Sequence, residues 1–170
     1  PAASKMSEPR YRGIEAAGIP AASLAKGVSA KVIAGEAGGI RGPVKDLVVD
    51  VSYIDVRAAP AAACEHGVAA DHRCLAYVVE GEGRFAGTSV GAGHLVLFEG
   101  KGVVAIEAGP RGCRYLLISG RPLGEPVAWY GPIVMNTEEA LETAFREYRD
   151  GTFVKVGAPE PGRARSRRSR

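Results

Sequence analysis

Short apolar segments alternate with polar positions along most of the chain, and glycine or proline separates them. Leu75, Tyr77 and Val79 alternate with Ala76, Val78 and Glu80, which is the two-residue period of a β-strand. The same pattern predicts strands at Val28–Ala34, Leu47–Val56, Leu75–Glu80, His94–Phe98, Val103–Glu107 and Arg114–Ser119, with turns at 81–83, 91–93, 100–102 and 109–112. Strands that recur about every 8–12 residues predict an antiparallel β-sandwich or β-barrel.

One segment near the end changes to the helical period. Asn136 is placed to cap a helix of about 137–149, and Gly151 is placed to end it. Its apolar positions fall at i, i+3, i+4 and i+7 and predict a stripe that packs against the barrel: Leu141, Ala144, Phe145 and Tyr148. Residues 154–170 contain few apolar side chains, so we expect a disordered, arginine-rich tail.

Charge is concentrated in that tail. The net charge of the 170 residues is +3, but Arg163–Arg170 alone contains five arginines and no acid. Without these eight residues the net charge is −2, so the predicted barrel lacks the basic face of a nucleic-acid-binding domain. The tail is the one segment for which contact with nucleic acid, an acidic protein or an import receptor stays open. We see no run long and apolar enough to predict a membrane span.

The histidines and cysteines offer one candidate metal site. Cys64-x-His66 and His72-x-Cys74 flank a short loop, and a hairpin would bring two such pairs together as zinc ligands. The alternative is that the thiols are buried as small apolar groups and that His66 and His72 are exposed in the loop. An odd count of three cysteines predicts no disulfide framework and favours a reducing compartment.

No catalytic motif accompanies these residues. His94 precedes a predicted strand, where we expect it to bond to the backbone. Asp55 and Tyr53 share a strand face, for which core or rim packing is the default interpretation and the lining of a barrel mouth is the alternative. Carboxylates near predicted strand ends are typical solvated groups: Glu36, Glu80 and Glu82. Three scattered histidines without a His-x-His pair predict that the chain binds no metal of its own.

An ordered series of segments resembles the pirin family. The resemblance runs from Met6 to Phe153 and is carried by 6–11, 19–20, 32–36, 42–43, 53–56, 76–83, 120–137 and 151–153. Its most specific part is Gly-Arg-Pro-Leu-Gly-Glu-Pro-Val-Ala-Trp-Tyr-Gly-Pro-Ile-Val-Met-Asn-Thr, residues 120–137. Pirins are bicupins, and these segments resemble their C-terminal half.

The resemblance implies an all-β cupin fold, an RmlC-like jelly-roll β-barrel or sandwich with one C-terminal α-helix. It implies an interdomain linker at 1–20 and a C-terminal cupin domain at 21–153. It places iron in an N-terminal barrel that this sequence does not contain, so no family metal ligand carries over.

The expected role is that of a metal-free structural and interaction domain whose partner is that N-terminal barrel. The alternatives are half of an iron-dependent quercetin 2,3-dioxygenase-like pirin, or a nuclear transcription cofactor. Either compartment, cytoplasm or nucleus, fits these roles.

Overall fold

The computed structural model describes residues 1–5, 7, 11–100 and 102–154. The chain divides into two compact units. The sheet unit is Tyr11–Leu123, and the helix unit is Pro1–Arg10 with Gly124–Arg170. The first twenty residues contain 3-10 turns at Ala2–Ser4 and Ala16–Gly18. The predicted disorder of the tail concerns residues that, apart from Val154, lie outside the described ones.

The sheet unit is built from antiparallel strands. Their bounds are β1 Ala21–Ala25, β2 Val28–Ala34, β3 Glu36–Ala37, β4 Ile40–Arg41, β5 Val51–Ala58, β6 Ala63–Val68, β7 Arg73–Phe85, β8 Thr88–Gly91, β9 Leu95–Phe98 and β10 Gly102–Gly120. The main sheet has the order β1-β2-β5-β10-β7-β8, with β6 paired to β10 and β9 paired to β7. Strands β3 and β4 form a separate hairpin. The predicted all-β fold class with one C-terminal helix is confirmed.

Two strands continue through positions where the sequence predicted turns. Strand β7 passes through 81–83, and β10 passes through 109–112. The β7–β10 register shifts between Ala108 and Cys113, because β10 has more residues than β7 between these two pairs. The extra residues form an irregularity at which the strands bend, and pairing continues on both sides of it. The predicted turns at these two places are therefore wrong, and β7 turns at Ala86 and Gly87 instead.

Side-chain alternation places the core on one face of the main sheet. On β2 the buried residues occupy every second position, and on β5 they are Ile54, Val56 and Ala58. The largest fully buried side chains come from four different strands: Val32, Val56, Val78, Phe85 and Tyr115. Strand β5 begins at Val51 and not at the predicted Leu47, which is exposed outside the sheet.

The helix unit pairs a short hairpin with one helix. Strands β11 (Ala128–Tyr130) and β12 (Ile133–Met135) precede α1 (Glu138–Asp150). The buried side chains of α1 are Leu141 and Ala144, and they pack with Ala128 and Ile133 of the hairpin. The buried side chains of the helix thus contact the hairpin that immediately precedes it, whereas the sequence led us to expect packing against the barrel.

Both ends of α1 are capped. The N-terminal cap lies one residue after the predicted Asn136, and the C-terminal cap is the predicted Gly151. Thr137 is the cap, and its Oγ1 accepts a hydrogen bond from the Ala140 N–H at 3.2 Å. The predicted cap, Asn136, instead uses its amide to donate to the Pro126 carbonyl oxygen at 2.9 Å. Gly151 ends the helix at φ 71°, as predicted. Tyr148 was expected in the core but is 67% exposed.

Candidate functional site

A histidine and a tyrosine meet inside the sheet unit. His66 lies on β6 and Tyr115 on β10, and the His66 Nε2 and the Tyr115 hydroxyl oxygen are 2.8 Å apart. Both side chains are buried, and the Phe85 ring packs edge-on against Tyr115 at a centroid distance of 5.5 Å. The sequence placed His66 in an exposed loop. That was wrong because residues 63–68 form a strand whose alternation turns Cys64 and His66 inward.

Burial keeps the interior groups uncharged near neutral pH. It lowers the pKa of His66 to about 4. It raises the pKa values of Cys74 and Cys113 to about 11, and it raises that of Cys64, with a smaller contribution from Glu65. The pKa of Tyr115 is raised by burial and by the nearby thiols. The surroundings of His66 therefore favour neither a thiolate nor a charged His66 at neutral pH, and the His66–Tyr115 contact is a neutral hydrogen bond.

The four candidate zinc ligands do not form one group. Strand β6 pairs with β10, where Cys64 lies opposite Ile106 and His66 lies opposite Val104. Cys74 lies opposite Ser119 near the other end of β10. Within the ranges that the structure describes, no three His, Cys, Asp or Glu side chains form a group that could hold a metal ion. The hairpin assumed for the zinc site is absent because both strands pair with β10 and not with each other.

The same donors do not fit a cupin iron site. Non-haem iron requires several imidazole and carboxylate ligands that converge on one point. The described interior around His66 offers one imidazole, whose Nε2 is engaged by Tyr115, together with protonated thiols.

The second predicted loop histidine is also buried. The His72 side chain is 6% exposed, and its Nδ1 lies 3.5 Å from the Ser119 Oγ. Its Nε2 lies 3.4 Å from an Asp50 carboxylate oxygen without hydrogen-bond geometry. These are the residue types of a hydrolytic triad, but Ser119 lies within β10 between two paired strands and not on a nucleophile elbow. The contacts connect the start of β7 to β10 and the loop before β5.

The remaining predicted polar residues lie at the surface. The Nδ1 of His94 lies 3.2 Å from the carbonyl oxygens of Gly91 and Ala92, as expected for a residue before a strand. Glu36 pairs with Arg41 at 3.2 Å. Glu82 lies on β7 opposite Gly91.

An ionic network lies on the outer side of the sheet. The Arg114 Nε and Nη2 donate to the two carboxylate oxygens of Asp55 at 2.9 and 2.8 Å, and Nη1 donates to Glu80 at 2.8 Å. The Arg114 hydrogen bonds lower the pKa of Asp55 against the opposing effect of burial, with smaller contributions from Arg57 and Lys31. The sequence pointed to Asp55 and Glu80 but missed Arg114. Its signal was a lone charge in an otherwise apolar predicted strand.

Tyr53 and Asp55 do share a face of β5, but it is the outer face of the sheet and not a barrel mouth. Their neighbours Ile54 and Val56 are the residues that point into the core. The sequence could not distinguish the two faces because both carry apolar side chains.

Beside the ionic network, the outer side of four adjacent strands is apolar. Cross-strand register places Ile118 between Tyr53 and Leu75, and Leu75 opposite Leu97. We call this surface the apolar face. It consists of Tyr53 on β5, Leu116 and Ile118 on β10, Leu75 and Tyr77 on β7, and Leu95 and Leu97 on β9. Leu95 and Leu97 are 59% and 56% exposed, so part of this face lies open.

Among the described residues, no helix has both the length and the apolar character that a membrane crossing requires.

Comparison with known proteins gives a consistent result. Residues 53–154 match the pirin C-terminal cupin domain. The chain is 41% identical over 155 residues to a pirin-like protein of Caulobacter vibrioides, covering 90% of this chain and 55% of that protein. It is 33% identical over 156 residues to pirin-1 of Arabidopsis thaliana, covering 88% of this chain and 54% of that protein. It also superposes on a crystal structure of quercetin 2,3-dioxygenase from Acinetobacter baumannii with a TM-score of 0.83 and 28% identity, over 90% of this chain and 54% of that one. The chain thus spans little more than half the length of these proteins.

Proposed function

This chain belongs to the pirin family as its C-terminal cupin domain, and we propose that it acts as a structural and interaction domain that packs through its apolar face against an N-terminal cupin barrel. The family and the cupin fold class, both predicted from the sequence, are confirmed by the match over residues 53–154 and by the superposition with a TM-score of 0.83. The proposal concerns what this domain contributes to such a protein.

The apolar face is the observation that carries the proposal. On a sheet with one solvated side, the outer positions are normally polar, whereas here seven residues on four adjacent strands are apolar. Burying one leucine side chain stabilises a complex by about 1.5–3 kcal/mol, so Leu95 and Leu97 would contribute strongly to an interface. A contiguous exposed apolar surface of this kind is typical of protein–protein contacts.

The length of the relatives supports the choice of partner. The pirin-like protein of Caulobacter vibrioides extends beyond the matched region by nearly half of its length. A second barrel of about this domain's size would account for that segment, and its apolar surface would cover the apolar face. The interior supports a role without catalysis in this half, because its acid–base groups are uncharged and mutually bonded.

Co-expression tests the proposal. The unmatched part of the Caulobacter vibrioides protein, carrying an affinity tag, is expressed together with this chain, and co-purification is measured. We expect a stoichiometric complex. Leu97→Arg should abolish it, because a guanidinium would be buried among apolar side chains without a partner.

Val103→Arg is the matched control. Val103 is 62% exposed on the first half of β10, away from the apolar face, so the same change there should leave the complex intact. Equal yields for the two variants, or no complex with the unsubstituted chain, would rule out packing through the apolar face.

A second candidate is that the whole bicupin is a quercetin 2,3-dioxygenase, and it is favoured by the superposition on the Acinetobacter baumannii structure. In that case this chain alone, supplied with Fe²⁺ and quercetin, should show no turnover, while the co-expressed pair consumes quercetin. Turnover by the chain alone would contradict a non-catalytic role for this domain.

A further inference from the structure

A cleft of about 660 Å³ opens on the sheet unit where four chain segments meet. These are the β1–β2 turn at Gly27, the end of β5, and the bends of β7 and β10. Its walls carry three guanidinium groups, those of Arg57, Arg111 and Arg114, and one carboxylate, that of Glu80. A volume of this size is in the range of pockets that hold small organic molecules.

Three of the residues that line this cleft are glycines with a left-handed backbone conformation. Gly27, Gly81 and Gly112 have φ values of 75°, 72° and 81°, a region that favours glycine. A Cβ at Gly81 would collide with the Gly112 carbonyl oxygen, and a Cβ at Gly112 would lie 2.8 Å from the Ala58 carbonyl oxygen. These glycines therefore allow the close approach of the chain segments that line the cleft, whose charged side chains are those of the three arginines and Glu80.

The three arginines differ in how strongly each is paired with a carboxylate of the protein. Arg114 is held by Asp55 and Glu80 through three hydrogen bonds of 2.8–2.9 Å. Arg57 is only loosely paired, with its Nη1 3.7 Å from a Glu80 oxygen. The exposed Arg111 makes no hydrogen bond or ion pair with any residue that the structure describes.

We propose that this cleft binds a small organic anion, whose phosphate or carboxylate group is held by Arg57 and Arg111. Guanidinium groups bind both oxyanions with paired, charge-assisted hydrogen bonds. Arg114 and its two carboxylate partners form the fixed side of the site. Ala59 and Pro60 provide an apolar wall for the organic part of the ligand.

Cationic groups in the cleft exceed what its own carboxylates neutralise. Glu80 is shared between Arg57 and Arg114, and Asp55 is committed to Arg114. Arg111 therefore adds a positive charge with no counterpart in the cleft, on a chain whose net charge without the last eight residues is −2. This local excess attracts anions. The inference does not depend on the packing partner proposed above.

A nuclear magnetic resonance titration of the full chain tests the site. Phenyl phosphate and benzoate are titrated at constant ionic strength, with inorganic phosphate as a third probe and benzamide as the neutral control. We expect saturable shifts of the Gly81 and Gly112 amides and of the Arg57 and Arg111 side chains with at least one organic anion. The stronger of the first two probes identifies the anionic group, and weaker binding of inorganic phosphate shows that the apolar wall contributes.

Arginine variants make the test specific. Arg57→Ala and Arg111→Ala should each weaken binding by roughly tenfold or more, the effect of losing a charge-assisted contact. Arg84→Ala is the matched control, because Arg84 is also exposed without a described partner but lines another cleft, so its removal should leave affinity unchanged. The site would be refuted by no saturable shift, by equal shifts with benzamide, or by equal weakening in the Arg84→Ala variant. Arg111→Ala removes no side-chain hydrogen bond or ion pair among the described residues, so we expect the variant to stay folded, which its unchanged amide spectrum outside the cleft checks.

Discussion

At the scale of single residues, the interior of the domain shows how burial sets chemistry. His66 and Tyr115 satisfy each other at 2.8 Å in surroundings that disfavour charge. The folded state therefore favours the neutral form of His66, whose hydrogen bond to Tyr115 is part of the structure. Burial of His66 therefore makes the stability of the domain depend on pH.

We predict that the chain loses stability as the pH falls from about 6.5 towards 4. The folded state holds the pKa of His66 at about 4, against 6.5 when it is not buried, so the unfolded state binds the proton first. The stabilisation is complete above pH 6.5 and is lost as the pH falls through the folded pKa, by up to about 3 kcal/mol. Urea unfolding at a series of pH values measures it.

His66→Gln provides the comparison, since its amide can bond to Tyr115 without titrating. His72 and His94 are present in both proteins and cancel. The pKa of Asp55 is lowered from 3.8, so its titration falls below this window. Parallel stability profiles for the two proteins between pH 7 and 4.5 would show that burial of His66 has no such effect.

At the scale of elements, the bends of β7 and β10 distinguish this sheet from a set of short hairpins. Both bends lie at glycines that the sequence marks as turns, yet pairing continues through them. The reason is steric: Gly81 lets β7 approach the Gly112 carbonyl oxygen of β10, with which a Cβ would collide. The same bends line the proposed anion cleft.

Gly81→Ala should destabilise the fold by about 3 kcal/mol or more. Roughly 1–2 kcal/mol comes from the positive φ, and the rest from the collision with the Gly112 carbonyl. Gly87→Ala separates the two causes, because Gly87 has φ 87° but open space around its Cβ position. It should cost only the smaller, conformational part. Denaturant unfolding measures both variants, and equal losses would show that close approach of the strands contributes nothing.

At the scale of the whole molecule, the chain matches little more than half of a longer relative. It spans 55% of a pirin-like protein of Caulobacter vibrioides, and its sheet has an apolar outer zone next to an ionic one. We propose a protein partner for the apolar face and a small organic anion for the cleft at Arg57 and Arg111. The arginine-rich tail lies outside the described residues, so the nucleic-acid and protein contacts expected of it stay predictions, as does a role in transcription.

The purified chain should contain iron or zinc at well below one atom per molecule. Its described donors do not converge, and cupin iron in this family is expected in the other barrel. Elemental analysis after dialysis measures the ratio. One tightly bound atom per chain that His66→Ala removes and His94→Ala retains would contradict a metal-free domain.

The β-rich class, the C-terminal helix with its glycine end, and the family could be predicted without the structure, because these depend on local periodicity and on residues adjacent in the chain. Val28–Ala34 is a strand with the predicted bounds. Tertiary structure alone decided that His66 lies inside, that Cys64 and Cys74 pair with distant parts of β10, and that Arg114 joins Asp55 to Glu80. Alternation defines two faces of a strand, but which face is covered depends on pairing partners far away in sequence.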